Sequence, residues 1–347
     1  MTGMKQASTL TALAAVSLVL AAGWPSDATA RSSLRSKDKE CADTANAEAA
    51  IAACTRLSEN RGLGRNNRAI ALGNRGAAYK VLGRYDEAIT DFTQAIELDP
   101  GNSQYYCQRG DARLRTNANS EAIDDYTVAI RQSPRLLWGY HGRGQAYLAT
   151  GNGEAALADL NQAVRLKPEA FSLRVLRGRA NNVVKNYEAA IADLNDALDN
   201  PKSSTLLPKE RAAVLTQRAY SRAKLDRSGD AQADIDEALR LAPKAAFTVA
   251  VAGLVHEKQG RMTEARDAYS QALAIEPKLA LAKLGQERIG SGSASSAAST
   301  NAGDEPDEPA EPSEPVARAK PETSSGADMC AKYVPEIGRT VKVKCED

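Results

Sequence analysis

The stretch Gly76–Pro100 reads GAAYKVLGRYDEAITDFTQAIELDP, and its recurrence decides the fold. Small residues stand at Gly76, Ala88 and Ala95, bulky ones at Tyr79, Tyr85 and Phe92, and a proline closes it. Gly76, Gly110, Gly144 and Gly178 lie 34 residues apart, as do Ala88, Ala122, Ala156 and Ala190, and Ala95, Ala129, Ala163 and Ala197. Pro100, Pro134 and Pro168 keep the same period. The next alanine of the series, Ala231, comes 41 residues after Ala190, which marks an insertion near Pro201–Pro208. The period then resumes with Ala231 to Ala265 and Pro243 to Pro277. Six units result, starting near Ala69, Ser103, Leu137, Phe171, Ala212 and Ala246. Each is expected to be two antiparallel helices, with Gly or Ala where they cross closely (Gly76 against Ala88) and a proline that turns the chain. One such pair cannot bury its apolar face alone, so the pairs must stack.

A period of about 34 residues with these signature residues resembles the tetratricopeptide repeat (TPR) family. The first unit carries Leu72, Gly76, Tyr79, Gly83, Tyr85, Ala88, Phe92, Ala95 and Pro100; the sixth carries Gly253, Gly260, Ala265, Tyr269, Ala272 and Pro277. The resemblance covers roughly residues 45–290. It implies an all-α fold, a right-handed α-solenoid of helix-turn-helix repeats. On this reading residues 67–201 hold repeats 1–4, 202–211 are an insert, 212–279 hold repeats 5–6, and 280–290 are a C-terminal cap helix.

The flanks have other compositions. Lys5, the apolar run Leu10–Ala22 and Ala28-Thr29-Ala30 form the pattern of a secretory signal peptide over residues 1–30. The run is short for a membrane anchor, which needs about 18–20 apolar residues. The expected mature protein is exported, periplasmic or secreted, with no membrane insertion after cleavage. Residues 31–66 read as an N-terminal cap helix and loop. Residues 291–328, rich in Ser, Ala, Gly and Pro with an acidic block Asp304–Glu314, read as a disordered linker. Residues 329–347 form a tail bounded by Cys330 and Cys345, expected to fold as a small β-hairpin-like staple.

Five cysteines in an exported chain suggest disulfides. Cys41 pairs naturally with Cys54, and Cys330 with Cys345, the latter worth ~3 kcal/mol in the chain-entropy model. The first pair needs the chain to turn back between the two cysteines, since a continuous helix would part them by about 20 Å. Cys107 is left over, either a small packed residue or a reactive thiol facing the groove. No metal or other cofactor is indicated, because no histidine stands at ligand spacing. His141 and His256 have no catalytic motif around them, so no enzyme is expected. A net charge of +1 does not indicate a nucleic-acid surface.

Arg75, Arg109, Arg143, Arg177 and Arg218 each stand sixteen residues before Asp91, Asp125, Asp159, Asp193 and Asp234. They read as an Arg–Asp ladder between the two helices of each hairpin, worth only ~0–1 kcal/mol per pair if exposed.

Function is expected on the concave face that the resemblance implies, where the first helices of the hairpins line a groove. Its polar and aromatic candidates are Lys80, Asp111, Arg115, Trp138, His141, Gln145, Arg179, Asn182, Tyr220, Lys224, Phe247, Glu257 and Lys258. Cations and aromatics together suit an extended peptide or an acidic segment. The family's clamp for chaperone C-terminal carboxylates is absent, since Gly73, Ala77, Cys107, Asp111, His141 and Gln145 occupy its positions. The expected function is therefore a scaffold or adaptor that binds a protein or peptide partner. Two alternatives stay open: a glycan or envelope polymer bound through Trp138, Tyr220 and Phe247, and occlusion of the groove by Asp304–Glu314.

Overall fold

A computed structural model of the protein describes residues 39–200, 203 and 205–298, together with 329–334 and 339–344. The expected signal peptide 1–30, residues 299–328 of the expected linker and Cys345 of the expected Cys330–Cys345 pair lie outside the described residues.

The described residues open with a short helix α1 (Lys39–Ala42) and a single 3-10 turn at Thr44–Asn46. Helix α2 (Ala47–Glu59) follows, with the Asn46 side chain accepting from the Ala49 N–H at its start. The break at Asp43 folds α1 back on α2, and the disulfide Cys41–Cys54 forms with Cα atoms 4.8 Å apart. Both cysteines are buried beside Ala53 and Ala71.

Six hairpins stack on this cap. They are α3 (Arg65–Val81) with α4 (Tyr85–Leu98), α5 (Ser103–Arg115) with α6 (Asn119–Gln132), and α7 (Leu137–Ala149) with α8 (Gly153–Leu166). Next come α9 (Phe171–Val183) with α10 (Tyr187–Asp199), α11 (Pro208–Lys224) with α12 (Ser228–Leu241), and α13 (Ala246–Lys258) with α14 (Met262–Ile275). Each second helix packs on its own first helix and on the next first helix along the chain.

The turn inside every hairpin uses one residue with a left-handed backbone: Gly83, Asn117, Gly151, Lys185, Asp226 and Gly260, with φ from 58° to 77°. Glycine holds this conformation without strain in three of them; Lys185 and Asp226 hold it at a steric cost.

The small residues make room for more than the expected close approach of glycine and alanine. A Cβ at Gly76 would meet the ring of Phe92 at 3.0 Å, and one at Gly110 would meet Tyr126 at 3.0 Å. Gly144 faces Leu160 and Gly178 faces Leu194 in the same way. The glycine thus makes room for the bulky residue of the partner helix, and a Cβ at Gly144 or Gly178 would also meet the carbonyl of Ala156 or Ala190, at 3.6 and 3.3 Å. In the fifth hairpin Ala219 replaces the glycine and Ile235 replaces the aromatic ring, and both are fully buried.

Two boundaries differ from expectation. Helix α11 begins at Pro208, so the last part of the 202–211 insert is helical. Proline presets the first helical turn, and the Glu210 carboxylate accepts from the Leu207 N–H. The final helix α15 (Ala280–Ala298) runs eight residues past Gly290, into the expected linker. Its Ser- and Ala-rich end carries no proline to stop it.

The Arg–Asp ladder is present at all five positions, with ion-pair distances of 2.5–2.8 Å. The aspartate side chains are only 3–8% exposed, so these are not surface pairs. Each arginine grips both oxygens of its Asp, then spends its remaining nitrogen on the preceding hairpin. Arg109 reaches Thr93, Arg143 reaches Thr127, Arg177 reaches Asn161 and Arg218 reaches Asn195. Arg75 reaches Thr55 of the cap helix α2. One guanidinium therefore closes its own hairpin and ties it to its neighbour. In the sixth hairpin the two positions are Ala252 and Ala268, both buried, so the pair is lost together and leaves no orphaned charge.

A second unit, spanning 299–347, contains an antiparallel hairpin of β1 (Met329–Val334) and β2 (Arg339–Lys344). Met329 lies opposite Lys344 and Val334 opposite Arg339.

Candidate functional site

The first helices of successive hairpins stand side by side, and their outward faces carry the candidate residues. A cavity of 370 Å³ opens where α9, α11, α13 and α15 meet. That volume falls in the usual range for ligand sites, about 300–1,000 Å³. Of the candidates, Arg179, Asn182, Tyr220, Lys224 and Phe247 line it.

The cavity's lower surface is apolar. Tyr220 packs against Phe247 with ring centroids 6.1 Å apart, and Tyr187 meets Tyr220 edge-on at the same distance. Val183 and Leu284 add two of the molecule's exposed large apolar side chains, 36% and 54% exposed. One wall is a closed polar network: the Asn182 amide donates to Gln217 at 3.0 Å, and the Ser221 hydroxyl donates to Asn182 at 2.6 Å. Asn182 thus serves to join α9 to α11, and its polar atoms are engaged.

Four cations surround this surface: Arg179, Lys185, Lys224 and Arg288. Arg288 is engaged by Glu257 at 2.7 Å. Arg179 and Lys224 make no ion pair among the described residues. Burial pushes the Arg179 guanidinium below the ordinary arginine range with nothing opposing it. Lys224 is pushed down by burial and then by the cations Arg288, Lys258 and Lys185, against a weaker pull from Glu257. Its ammonium lies over the Tyr220 ring, 5.4 Å from the centroid. A cavity that depresses its own cations favours an incoming anion.

The remaining candidates are engaged with one another. Lys80 donates to Gln108 at 2.6 Å and to Asp111 at 2.9 Å, and Asp111 also accepts from the buried Tyr126 hydroxyl at 2.6 Å. Trp138 meets His141 edge-on at 5.6 Å, and Gln145 lies 3.4 Å from the His141 Nε2 atom. Arg115 lies over Tyr85, and Lys258 pairs with Asp226 at 2.6 Å. Glu257 takes Arg288 and the Tyr269 hydroxyl. Of the aromatic trio considered for glycans, Tyr220 and Phe247 share the cavity and Trp138 does not line it.

Cys107 is free and buried, and burial followed by nearby Asp111 pushes its thiol well above the ordinary range. Such a thiol is a packed residue and a poor nucleophile. Among the described residues no cluster of His, Cys, Asp or Glu is arranged to hold a metal ion. No described helix is long and apolar enough to cross a membrane.

Sequence reasoning missed Lys185, Tyr187, Leu281, Leu284 and Arg288. Lys185 sits in a turn. The other omission came from treating α15 as a plain cap, whereas it presents Leu281, Leu284 and Arg288 as a seventh first helix would.

Tetratricopeptide repeat profiles match residues 69–102, 141–204 and 216–280. No curated protein matches in sequence. Among solved structures, the Cut9–Hcn1 heterotetramer of the APC/C is similar, with a TM-score of 0.57 at 20% identity. That match covers 72% of this chain, and the chain spans only 46% of that protein. A tetratricopeptide repeat protein from Parabacteroides merdae matches with a TM-score of 0.52 at 17% identity, over 75% of this chain and 99% of that one. At these identities the likeness speaks for the fold. With its stacked hairpins, its 34-residue period and its three matched stretches, this chain is a tetratricopeptide repeat protein.

Proposed function

We propose that this chain is an exported scaffold or adaptor that binds a protein or peptide partner in the groove of its first helices, without catalysis. One observation carries the reading: the 370 Å³ cavity combines an apolar surface with three cations, Arg179, Lys185 and Lys224, that have no ion pair among the described residues. A structure that spends buried arginines so carefully elsewhere leaves Arg179 unmatched here, which supports a ligand group as its partner. Concave apolar sites with a few convergent polar groups are the common form of a binding site.

Export is supported by the sequence of residues 1–30 and by the Cys41–Cys54 disulfide, which an oxidising compartment maintains. The reading without catalysis rests on the sequence, in which no HExxH, nucleophile-elbow or phosphate-loop motif stands.

The test is photo-crosslinking in cells from residue 183, at the rim of the cavity. Capture of one or a few proteins is expected, and capture of glycan alone overturns the reading. N-terminal sequencing of the mature chain from the cell envelope is expected to begin at Arg31. A chain that keeps Met1 and stays in the cytoplasm overturns export.

A further inference from the structure

We infer that the partner presents an acidic, extended segment in which a large apolar side chain is flanked by Asp or Glu, and that Arg179 and Lys224 receive those carboxylates. This rests on the groove reading above and names the chemistry of its ligand.

The argument is one of complementarity. Tyr220, Phe247 and Leu284 offer an apolar seat large enough for one aromatic or branched aliphatic side chain. The cations around it come from three separate elements: Arg179 from α9, Lys224 from α11 and Arg288 from α15. Lys185 adds a fourth from the turn between α9 and α10. Among the described residues no carboxylate lines the cavity, and Glu257 beside it is held by Arg288 and Tyr269. Cations spread over several helices match several carboxylates along a strand better than one terminal carboxylate. The apolar seat between them requires the hydrophobic side chain to lie within the acidic stretch, not beyond its end. Hydrophobic seating then sets the residence of the segment, and the surrounding charge sets its encounter rate and specificity.

The probe is a fluorescent peptide, acetylated and amidated, in which Glu alternates with Phe. It is titrated by anisotropy against the mature chain. Saturable binding is expected, weakening as salt is raised. A peptide with Lys in place of Glu is expected not to bind, and one with Ala in place of Phe is expected to bind about tenfold more weakly. R179A is expected to lower affinity about tenfold, with R179K intermediate and K80A unchanged. L284S removes an exposed apolar group and is expected to lower affinity several-fold while leaving the fold intact.

Full affinity in R179A overturns the inference, as does equal binding of the Lys-substituted peptide. Equal affinity for N-acetylphenylalanine overturns the peptide class in favour of a small molecule. Loss of binding when the peptide carries its only carboxylate in side chains, with binding restored by a free C-terminus, also overturns it. If the residue-183 crosslinker captures a protein but the acidic–aromatic probe does not bind, the groove reading stands and this inference fails.

Discussion

The two ends of the groove are built on the same frame and finished in opposite ways. At the N-terminal end, Lys80, Gln108, Asp111 and Tyr126 satisfy one another, and Trp138, His141 and Gln145 do likewise. At the C-terminal end, Arg179 and Lys224 stand in a cavity without ion pairs among the described residues. Identical hairpin geometry supports both. On the proposed reading, the difference separates the residues that hold the fold together from those offered to a ligand. Mutually bonded polar groups at the first end stabilise the folded chain, whereas a desolvated cation without an ion pair at the other costs it energy.

The frame should respond alike at both ends. Asp125 holds Arg109 and Arg113, and Asp234 holds Arg218 and Arg222. Asp125→Ala and Asp234→Ala should each cost about 2–4 kcal/mol in urea unfolding, less than a fully buried pair because the arginines keep some water. Unequal losses would break the idea of a common frame. Replacing Arg143 and Asp159 together by alanine, as the sixth hairpin has it, should cost less than Asp159→Ala alone.

Packing comes next in size. A Cβ at Gly142 would sit 2.3 Å from the buried Tyr126 ring, so Gly142→Ala should cost about 1–3 kcal/mol and disturb the Tyr126–Asp111 bond. Nothing lies within 4 Å of a Cβ at Gly229, and Gly229→Ala should leave the melting temperature level or slightly raised.

The sharpest test of the contrast is a pair of isosteric charge removals. Arg179→Met should stabilise the unliganded chain by about 1 kcal/mol, because it removes a desolvated charge with no ion pair. Lys80→Met should destabilise it by about 1 kcal/mol, because it orphans part of Asp111. Denaturant midpoints that move the same way for both would erase the distinction between the two ends.

The smallest effect is a pH slope. Burial lowers the His141 pKa, against a weaker upward pull from Asp111. Between the folded value and the ordinary value of about 6.5, the unfolded chain binds more protons than the folded one. Stability should therefore fall as pH drops through that window. His141→Gln should flatten the slope in thermal melts taken across it.

Much of the frame was legible in sequence because it repeats. The 34-residue recurrence of glycine, alanine and proline located the hairpins, and the Arg–Asp spacing located the ladder. The ladder's third contact repeats as well, at Thr93, Thr127, Asn161 and Asn195, but the residue type changes midway and hides it. The cavity was only partly legible. Helical periodicity places a side chain on the groove face, and Arg179 and Lys80 are equal by that measure. What separates them is the neighbour: Asp111 reaches Lys80 from the adjacent hairpin, and no carboxylate among the described residues pairs with Arg179. Such lateral relations across hairpins depend on the stacking geometry, which spacing along the chain does not encode.

The double duty of the ladder arginines has a consequence for the length of the molecule. Each joint among the first five hairpins uses the same plug and a compatible socket. Excising residues 103–136 would remove one whole period and bring Arg143 to Thr93, where the hydroxyl it now uses, that of Thr127, has an equivalent. The shortened chain should remain helical by circular dichroism and melt cooperatively. The first five hairpins are interchangeable parts, so the distance between the self-satisfied end of the groove and its open end is adjustable in steps of one unit without redesigning a joint among them.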